Sequence, residues 1–206
     1  MIAGAQRTLL RVWRRIPRLL RRWIVRAAAP SFTVGAACVI EDGDGSILLV
    51  KLVYREGWGL PGGLIKRNED VATCARREVA EEVGIDVELL SAPAVVVDSR
   101  PQRIDVVFRA RPAAGVDATS AYARSVEILE ARWFAADDLP VLQHEAVGAL
   151  VALASSALRP AGEAPGLADP AGDGDTGDAG VAGGDPSVDA EGVTLRRAAE
   201  QAATQR

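Results

Sequence analysis

The chain contains 206 residues, of which 49% are hydrophobic, 25% are charged and 4% are aromatic, and its formal net charge is −4. This length and composition are typical of one globular domain with additional segments, and the low aromatic content predicts a small, aliphatic core. Two cysteines and one histidine exclude a disulfide scaffold, a zinc-finger framework and a multi-histidine metal centre, so any chemistry must depend on carboxylates.

The first segment, residues 1–30, is predicted to form a basic amphipathic helical arm. It contains eight arginines and no acidic residue, and between residues 7 and 26 its apolar side chains recur close to every 3.6 residues. Arginines interrupt every apolar run, which argues against a transmembrane helix and a secretory signal. Two interpretations stay open: the arm binds an anionic membrane surface or a protein partner, or it packs on its own domain or a second subunit. We expect a cytoplasmic protein, peripheral at the membrane under the first interpretation.

The second segment, residues 31–159, has the pattern of a folded domain. The predicted elements are strands over 32–40, 47–53, 87–97, 104–110 and 127–134, and helices over 69–83 and 143–158. The Asp-Gly-Asp-Gly sequence at 42–45 predicts that the first two strands form a hairpin. Strands interspersed with two helices predict an α/β fold in which helices cover a mixed β-sheet.

The last segment, residues 160–206, is predicted to be a disordered acidic tail. Between residues 160 and 192 there are nine glycines and eight acidic residues, and a segment with so few large apolar side chains cannot offset its conformational entropy. Residues 194–205 are rich in alanine, but a helix of that length is marginal in isolation.

The residues that indicate chemistry lie between Trp58 and Ile85. On a helix, Glu78, Glu81 and Glu82 cluster on one face, where like-charged pairs destabilise the helix by ~0.2–0.5 kcal/mol each. A hard divalent cation such as Mg²⁺ would relieve this repulsion, because it prefers carboxylate oxygens. The carbonyl of Gly63, in the Pro-Gly-Gly turn before the helix, is available as a further oxygen ligand.

This stretch resembles the signature of the Nudix hydrolases, which is glycine, five residues, glutamate, seven residues, Arg-Glu, an aliphatic residue, any residue, Glu-Glu, any residue, glycine and an aliphatic residue. The matching positions, with every spacing intact, are Gly63, Glu69, Arg77, Glu78, Val79, Glu81, Glu82, Gly84 and Ile85. Seven fixed positions coincide by chance on the order of once in 10⁸ to 10⁹ placements at typical residue frequencies. The flanking sequence extends the resemblance over residues 31–159. The resemblance implies a three-layer α/β/α sandwich built around a mixed sheet.

The resemblance also implies which acidic residues act at the site. Glu78 and Glu82 are similar to the principal metal ligands of the family, and the Gly63 carbonyl is a candidate to join them. Glu81 is similar either to a further ligand or to a base that activates water. Glu127 resembles a remote glutamate that approaches the metals in some members of the family and can serve as the base. The choice of base stays open.

Basic residues complete the predicted site. Arg77 and Glu69 resemble the pair that braces the loop and helix in the family, with the arginine holding a carboxylate in its productive direction. Arg55, Arg100 and Arg103 lie in or next to predicted loops and are candidates for binding substrate phosphate, because a guanidinium matches phosphate oxygens. Arginines at such positions are more often merely solvated.

The function that the resemblance implies is metal-dependent pyrophosphohydrolysis. Mg²⁺ or Mn²⁺ would assist the attack of water on phosphorus in the diphosphate of a nucleoside diphosphate-linked substrate, such as a nucleoside triphosphate or ADP-ribose. The alternative function is a Nudix-fold regulatory module that senses a nucleotide without turnover. A nucleotide-type small molecule is the expected partner, and specific binding to nucleic acid is not expected.

Overall fold

A computed structural model describes residues 31–157 and 186–204, together with isolated positions between residues 14 and 25. Apart from those positions, the arm predicted over residues 1–30 lies outside the described residues, as do residues 160–185 and 205–206 of the tail predicted over 160–206. Within the described part of the chain, no helix is both long enough and apolar enough to cross a membrane.

The described residues form seven strands and three α-helices. The strands are β1 (Thr33–Ile40), β2 (Ser46–Leu52), β3 (Gly62–Leu64), β4 (Val87–Leu89), β5 (Ala94–Asp98), β6 (Arg103–Pro112) and β7 (Ile128–Ala135). The helices are α1 (Val71–Val83), α2 (His144–Ala157) and α3 (Pro186–Thr204), and a short 3₁₀ helix covers Ala118–Ser120. The strand predicted over residues 87–97 is thus two strands, and β3 and α3 were not predicted as such.

The strands form one mixed sheet and one antiparallel pair. In the mixed sheet, β1 is antiparallel to β3 on one side and parallel to β6 on the other. Strands β4 and β5 both pair antiparallel with β6, each along a different part of its length. Strands β2 and β7 form the second sheet.

The prediction that the first two strands form a hairpin is wrong. The chain does reverse there, because Asp42 Oδ1 accepts hydrogen bonds from the backbone N–H groups of Asp44 and Ser46 at 3.0 and 2.7 Å. After a single bridge between Glu41 and Ile47, however, the two strands enter different sheets. The physical reason is that β1 is an interior strand of the mixed sheet, so both of its edges are occupied by β3 and β6.

Helices cover both faces of the mixed sheet. Cys38 and Phe108 point to the face on which α1 packs, whereas the adjacent Val39 and Val107 point to the face covered by α2 and α3. This alternation follows from the two-residue period of a strand. The fold is therefore the three-layer α/β/α sandwich with a mixed sheet that the resemblance implies.

Residues 186–204, which lie within the segment predicted to be a tail, form helix α3. Among the α3 side chains that the structure describes, the buried ones are Leu195, Ala198, Ala199 and Ala202. They belong to the same apolar core as α2, and Gln201 Oε1 accepts a hydrogen bond from the backbone N–H of Leu139 at 2.7 Å. A helix that is marginal in isolation is thus stabilised by packing one apolar face against the domain.

Candidate active site

Local interactions fix both ends of α1, the helix that carries the signature glutamates. At its start, the Asp70 carboxylate accepts hydrogen bonds from the backbone N–H groups of Ala72 and Thr73 at 3.1 and 3.0 Å. At its end, Gly84 has a φ of 74° and a ψ of 13°, a left-handed conformation that glycine adopts at little cost. Val79 is fully buried against the mixed sheet. Residues in and next to α1 therefore determine where its acidic face, formed by Glu78, Glu81 and Glu82, lies relative to the sheet.

Two glycines in β3 bring the backbone against the acidic side chains of α1. The Gly62 N–H donates to Glu82 Oε2 at 2.9 Å. A Cβ atom on Gly63 would lie 2.5 Å from Glu78 Cδ, which is closer than real Cβ contacts allow. Any larger residue at position 63 would therefore displace the Glu78 carboxylate.

Three of the predicted site glutamates line one cavity of about 700 Å³. Glu78 and Glu82 reach it from α1, and Glu127 reaches it from the residue before β7. Gly63 also lines this cavity, which extends between β1, β2 and β6 to the start of α2. The fold thus brings together residues that lie far apart in the sequence.

Glu82 is the most buried of these glutamates, with 9% of its surface exposed. Burial raises the pKa of Glu82 to about 7 against the lowering effect of the Gly62 hydrogen bond, and the nearby charges of Glu78, Glu127 and Glu81 raise it further. A cation in the cavity would remove the mutual repulsion that causes part of this shift. The carboxylates of Glu78 and Glu82 are therefore donors of the kind that a hard divalent metal ion prefers.

Arg77 braces the acidic face. Its Nε and Nη2 donate to the two carboxylate oxygens of Glu69 at 2.6 and 2.9 Å, and its Nη1 donates to Glu78 Oε1 at 2.6 Å. Glu69 also accepts from the backbone N–H of Lys66 at 2.8 Å. The Arg77 hydrogen bond, assisted by the one from Lys66, lowers the pKa of Glu69 to about 2, and the bond to Glu69 raises the pKa of Arg77. Both partners therefore stay charged near neutral pH, and Glu78 is held in one direction.

Glu81 lies away from the three-glutamate cavity. Its Oε2 is 3.2 Å from Arg77 Nη1, its Oε1 is 3.5 Å from Lys66 Nζ, and its side chain is 53% exposed. It lines a separate surface groove with Arg77 and Arg124. Among the described residues, no three His, Cys, Asp or Glu side chains are already arranged to hold a metal ion. A ligand or base role for Glu81 stays a prediction, and this placement does not favour it.

Glu127 is held at the cavity by the segment that follows β2. Tyr54 Oη donates to Glu127 Oε2 at 3.2 Å, and the backbone N–H of Val53 donates to the Glu127 carbonyl at 3.0 Å. Burial and the hydrogen bond to this glutamate raise the pKa of Tyr54, so the hydroxyl keeps its proton and can donate it in this bond. The remote glutamate is therefore positioned by a contact across the fold.

The three arginines predicted to bind phosphate have different surroundings. Arg55 and Arg103 line the cavity, but each is paired with a carboxylate: Arg55 Nη1 lies 2.8 Å from Glu145 Oε1, and Arg103 Nε lies 2.8 Å from Asp105 Oδ2. Arg100 is exposed and lies outside the set of described residues that line the cavity. The phosphate-binding role stays a prediction for all three residues.

Sequence reasoning missed Asp105 and Glu145 as cavity residues. Asp105 did carry a signal, because a carboxylate between Ile104 and Val106 interrupts an otherwise apolar strand. Glu145 carried none, since an acidic residue in the first turn of a helix is common for electrostatic reasons alone. Its place in the cavity depends on how α2 docks on the sheet.

Comparison with known proteins gives consistent matches. Residues 31–152 match the family model of the NUDIX domain. A MutT-like protein of Streptomyces ambofaciens is 34% identical over 100 residues, which are 48% of this chain and 65% of that protein. The 8-oxo-dGDP phosphatase NUDT18 of Danio rerio is 31% identical over 118 residues, which are 55% of this chain and 35% of that protein. The chain therefore spans less than two thirds of either curated relative.

A solved structure matches at the level of the fold. The crystal structure of an ADP-ribose pyrophosphatase from Streptococcus suis is 26% identical in sequence and superposes with a TM-score of 0.50. The superposition covers 61% of this chain and 92% of that structure. Nearly all of that pyrophosphatase thus has a counterpart in this chain.

Proposed function

The chain belongs to the NUDIX family of hydrolases, and from this premise we propose that it is a divalent-metal-dependent pyrophosphohydrolase that cleaves the diphosphate linkage of a nucleoside diphosphate-linked substrate. The observation that carries this proposal is the convergence of Glu78, Glu82 and Glu127 on one cavity of about 700 Å³ beside the Gly62–Gly63 backbone. A volume of this order suits a small organic ligand, for which pockets of ~300–1,000 Å³ are typical.

Two glutamates and one backbone carbonyl are the groups that would hold the metal ion. Glu78, Glu82 and Gly63 all line the cavity. When bound, Mg²⁺ or Mn²⁺ would supply Lewis-acid polarisation of the diphosphate and lower the pKa of the attacking water. Arg77 supports this arrangement by orienting the Glu78 carboxylate at 2.6 Å.

Glu127 is the residue that we propose as general base. It lines the cavity together with Glu78 and Glu82, whereas Glu81 lies in the neighbouring groove. Its carboxylate would accept the proton of the attacking water, while the Tyr54 hydroxyl holds Oε2 in place at 3.2 Å. The protein would thus act mainly by positioning groups and by electrostatics.

The relatives suggest which substrates to test. One of them is named an 8-oxo-dGDP phosphatase and the superposed structure is an ADP-ribose pyrophosphatase. A panel of ordinary and oxidised nucleoside di- and triphosphates, ADP-ribose and nucleotide sugars therefore covers the candidate substrate classes.

The decisive experiment measures hydrolysis of this panel by the full chain with Mg²⁺, with Mn²⁺ and with excess EDTA. We expect hydrolysis that EDTA abolishes and that Glu82→Gln lowers by ~10²–10³-fold, which is typical when a preorganised electrostatic group is lost. Glu88→Gln is the matched control, because Glu88 is an exposed residue of β4 paired with Arg111 outside the cavity. Its activity should stay within twofold of the wild type.

The same experiment separates the two candidate functions. Full activity of Glu82→Gln would show that the ligand assignment is wrong. Calorimetric binding of a nucleotide by a wild type that hydrolyses no member of the panel would instead support the sensing module that the sequence left open.

A further inference from the structure

The cavity has a second polar wall that consists of two arginine–carboxylate pairs. On β6, Arg103 Nε donates to Asp105 Oδ1 and Oδ2 at 2.9 and 2.8 Å. In the second pair, Arg55 Nη1 donates to Glu145 Oε1 at 2.8 Å and so joins the β2–β3 loop to the first turn of α2. All four side chains line the cavity. Two positive and two negative charges give this wall no net charge.

The β6 pair is packed closely against β1. A Cβ atom on Gly35 of β1 would lie 2.5 Å from Asp105 Oδ1 and 3.3 Å from Arg103 Nη2, so the pair fits because this position has no side chain. The Asp105 and Arg103 side chains are 15% and 29% exposed, respectively. The Arg103 and Asp105 side chains are therefore largely buried, but both still line the cavity.

The two pairs are electrostatically linked. Partial burial by itself raises the pKa of Glu145, but its backbone hydrogen bond and the Arg55 guanidinium lower it, and Arg103 contributes to the lowering. The carboxylate of one pair thus lies within the field of the guanidinium of the other. Positive and negative groups alternate along the wall.

This wall differs from the acidic wall in the ligand that it can accept. The acidic wall concentrates negative charge from Glu78, Glu82 and Glu127 and suits a cation with its diphosphate. An arginine that is already neutralised by a carboxylate attracts a phosphate less strongly than a free one. Its remaining N–H groups and the carboxylate oxygens still need hydrogen-bond partners when a ligand excludes water. A neutral group that carries both donors and acceptors satisfies them best.

We propose that Asp105 and Arg103 are specificity-determining residues that bind the hydrogen-bonding edge of the substrate's nucleobase. Every nucleobase presents acceptors beside N–H donors, which complement a guanidinium and a carboxylate held together. The inference rests on the proposed function, because it assigns the neutral wall to the nucleoside part of the substrate that the acidic wall would cleave. For Arg103, it is an alternative to the phosphate-binding role predicted from the sequence.

The test is a binding experiment that does not require hydrolysis. The 5′-monophosphates of guanosine, adenosine, cytidine and uridine are titrated calorimetrically into the full chain in EDTA, with ribose 5-phosphate as the base-free probe. We expect the wild type to bind at least one nucleotide tenfold or more tightly than ribose 5-phosphate. Asp105→Asn should weaken that nucleotide by ~10–100-fold, the cost of one bidentate base contact, while binding of ribose 5-phosphate changes less than threefold.

Two further variants control for the fold and for charge. Glu88→Gln removes a carboxylate from an exposed Arg–Glu pair whose arginine, Arg111, is also on β6, and it should not change any affinity. If Asp105→Asn unfolds because Arg103 loses its partner, the double variant Arg103→Gln/Asp105→Asn removes both charges and keeps the volume. It should show the same loss of base preference.

The outcomes are distinct. Equal binding of all four nucleotides and ribose 5-phosphate by the wild type, or an equal loss for every probe in Asp105→Asn, would overturn this inference. Hydrolysis of a nucleotide panel without base preference would overturn it as well and leave the proposed function intact. Base-dependent binding that Asp105→Asn loses, with no hydrolysis by the wild type, would support the assignment of Asp105 and contradict the proposed function instead.

Discussion

Helices α1 and α3 cover opposite faces of the same sheet, but different kinds of interaction stabilise them. Helix α1 has an aspartate cap at its start, a left-handed glycine at its end and an internal brace at Arg77. Helix α3 follows a segment rich in glycine and aspartate, and it is held by burying one leucine and three alanines in the core that it shares with α2. Helix α1, which contains the candidate site glutamates, is therefore stabilised by residues that are close in sequence. Helix α3 is stabilised by packing against residues that are distant in sequence. Substitutions in α1 should therefore mainly lower activity, whereas substitutions in α3 should mainly lower stability.

Of the changes that distinguish the two helices, the loss of the Arg77 hydrogen bonds in α1 should have the largest effect. Arg77→Gln should lower kcat/KM by ~10–100-fold, as is typical for groups that orient metal ligands, because Glu69 and Glu78 lose the guanidinium that aligns them. Arg77→Lys should restore little, since an ammonium cannot bind both oxygens of Glu69 while contacting Glu78. Steady-state kinetics on the best substrate of the panel provide the measurement.

The control for this variant is Arg111→Gln, which breaks an exposed pair with Glu88 on the same protein. Its kcat/KM should equal that of the wild type. Retention of wild-type kinetics by Arg77→Gln would mean that Glu69 and Glu78 keep their positions without the guanidinium. Local side-chain interactions would then not be what maintains the geometry of α1.

The next largest effect is expected on stability, at α3. Leu195 is 1% exposed, and truncation of a buried leucine to alanine costs ~2–5 kcal/mol. Leu195→Ala should therefore lower the free energy of unfolding by about 2–3 kcal/mol in urea titrations, with kcat unchanged below the transition. Val193→Ala, at a position that is 45% exposed, should cost less than about 0.5 kcal/mol. Equal stability of the two variants would show that α3 does not stabilise the domain.

The same contrast explains how much the sequence could reveal. The helix predicted over residues 69–83 and the one observed over Val71–Val83 agree because capping, helical period and the acidic signature are all local. The glutamates and Arg77 followed from the same pattern. A motif is readable when the residues that act together are also close together in the chain.

The features that could not be predicted depend on distant partners. The turn at 42–45 is real, but nothing in it indicates that β1 pairs with β6 rather than with β2. Likewise, α3 becomes stable when Leu195 meets a core that is built by residues far upstream. Asp105 enters the cavity because Gly35, in another strand, leaves room for it. Each of these features depends on a contact between two segments that are distant in sequence, so neither segment alone predicts it.

A smaller effect is expected at the C-terminal end of α1. Gly84 has a φ of 74°, and an added Cβ would lie 3.0 Å from a ring carbon of Tyr122. Because the left-handed conformation costs other residues ~1–2 kcal/mol, Gly84→Ala should lower the free energy of unfolding by about that amount. Gly43→Ala is the matched control, since its Cβ would meet nothing within 4 Å, and it should not destabilise the protein. A neutral Gly84→Ala would show that packing, rather than the local stop signal, ends α1.

The smallest effect concerns the thiol beneath α1. Burial raises the pKa of Cys38 to about 12, with minor opposing and reinforcing effects of Arg76 and Cys74, whereas an unfolded thiol titrates near ~8.5. The folded state thus prefers the protonated thiol, and the stability that this preference contributes is present below pH ~8.5 and is lost as the pH rises towards the folded pKa. A disulfide reagent that attacks thiolates should therefore react with Cys38 of the native protein at pH 8 far more slowly than with the urea-unfolded chain. Rapid native-state labelling of Cys38, identified by peptide mapping, would mean that α1 opens readily from the sheet. The local interactions that stabilise α1 would then not prevent solvent and reagent from reaching the core beneath this helix.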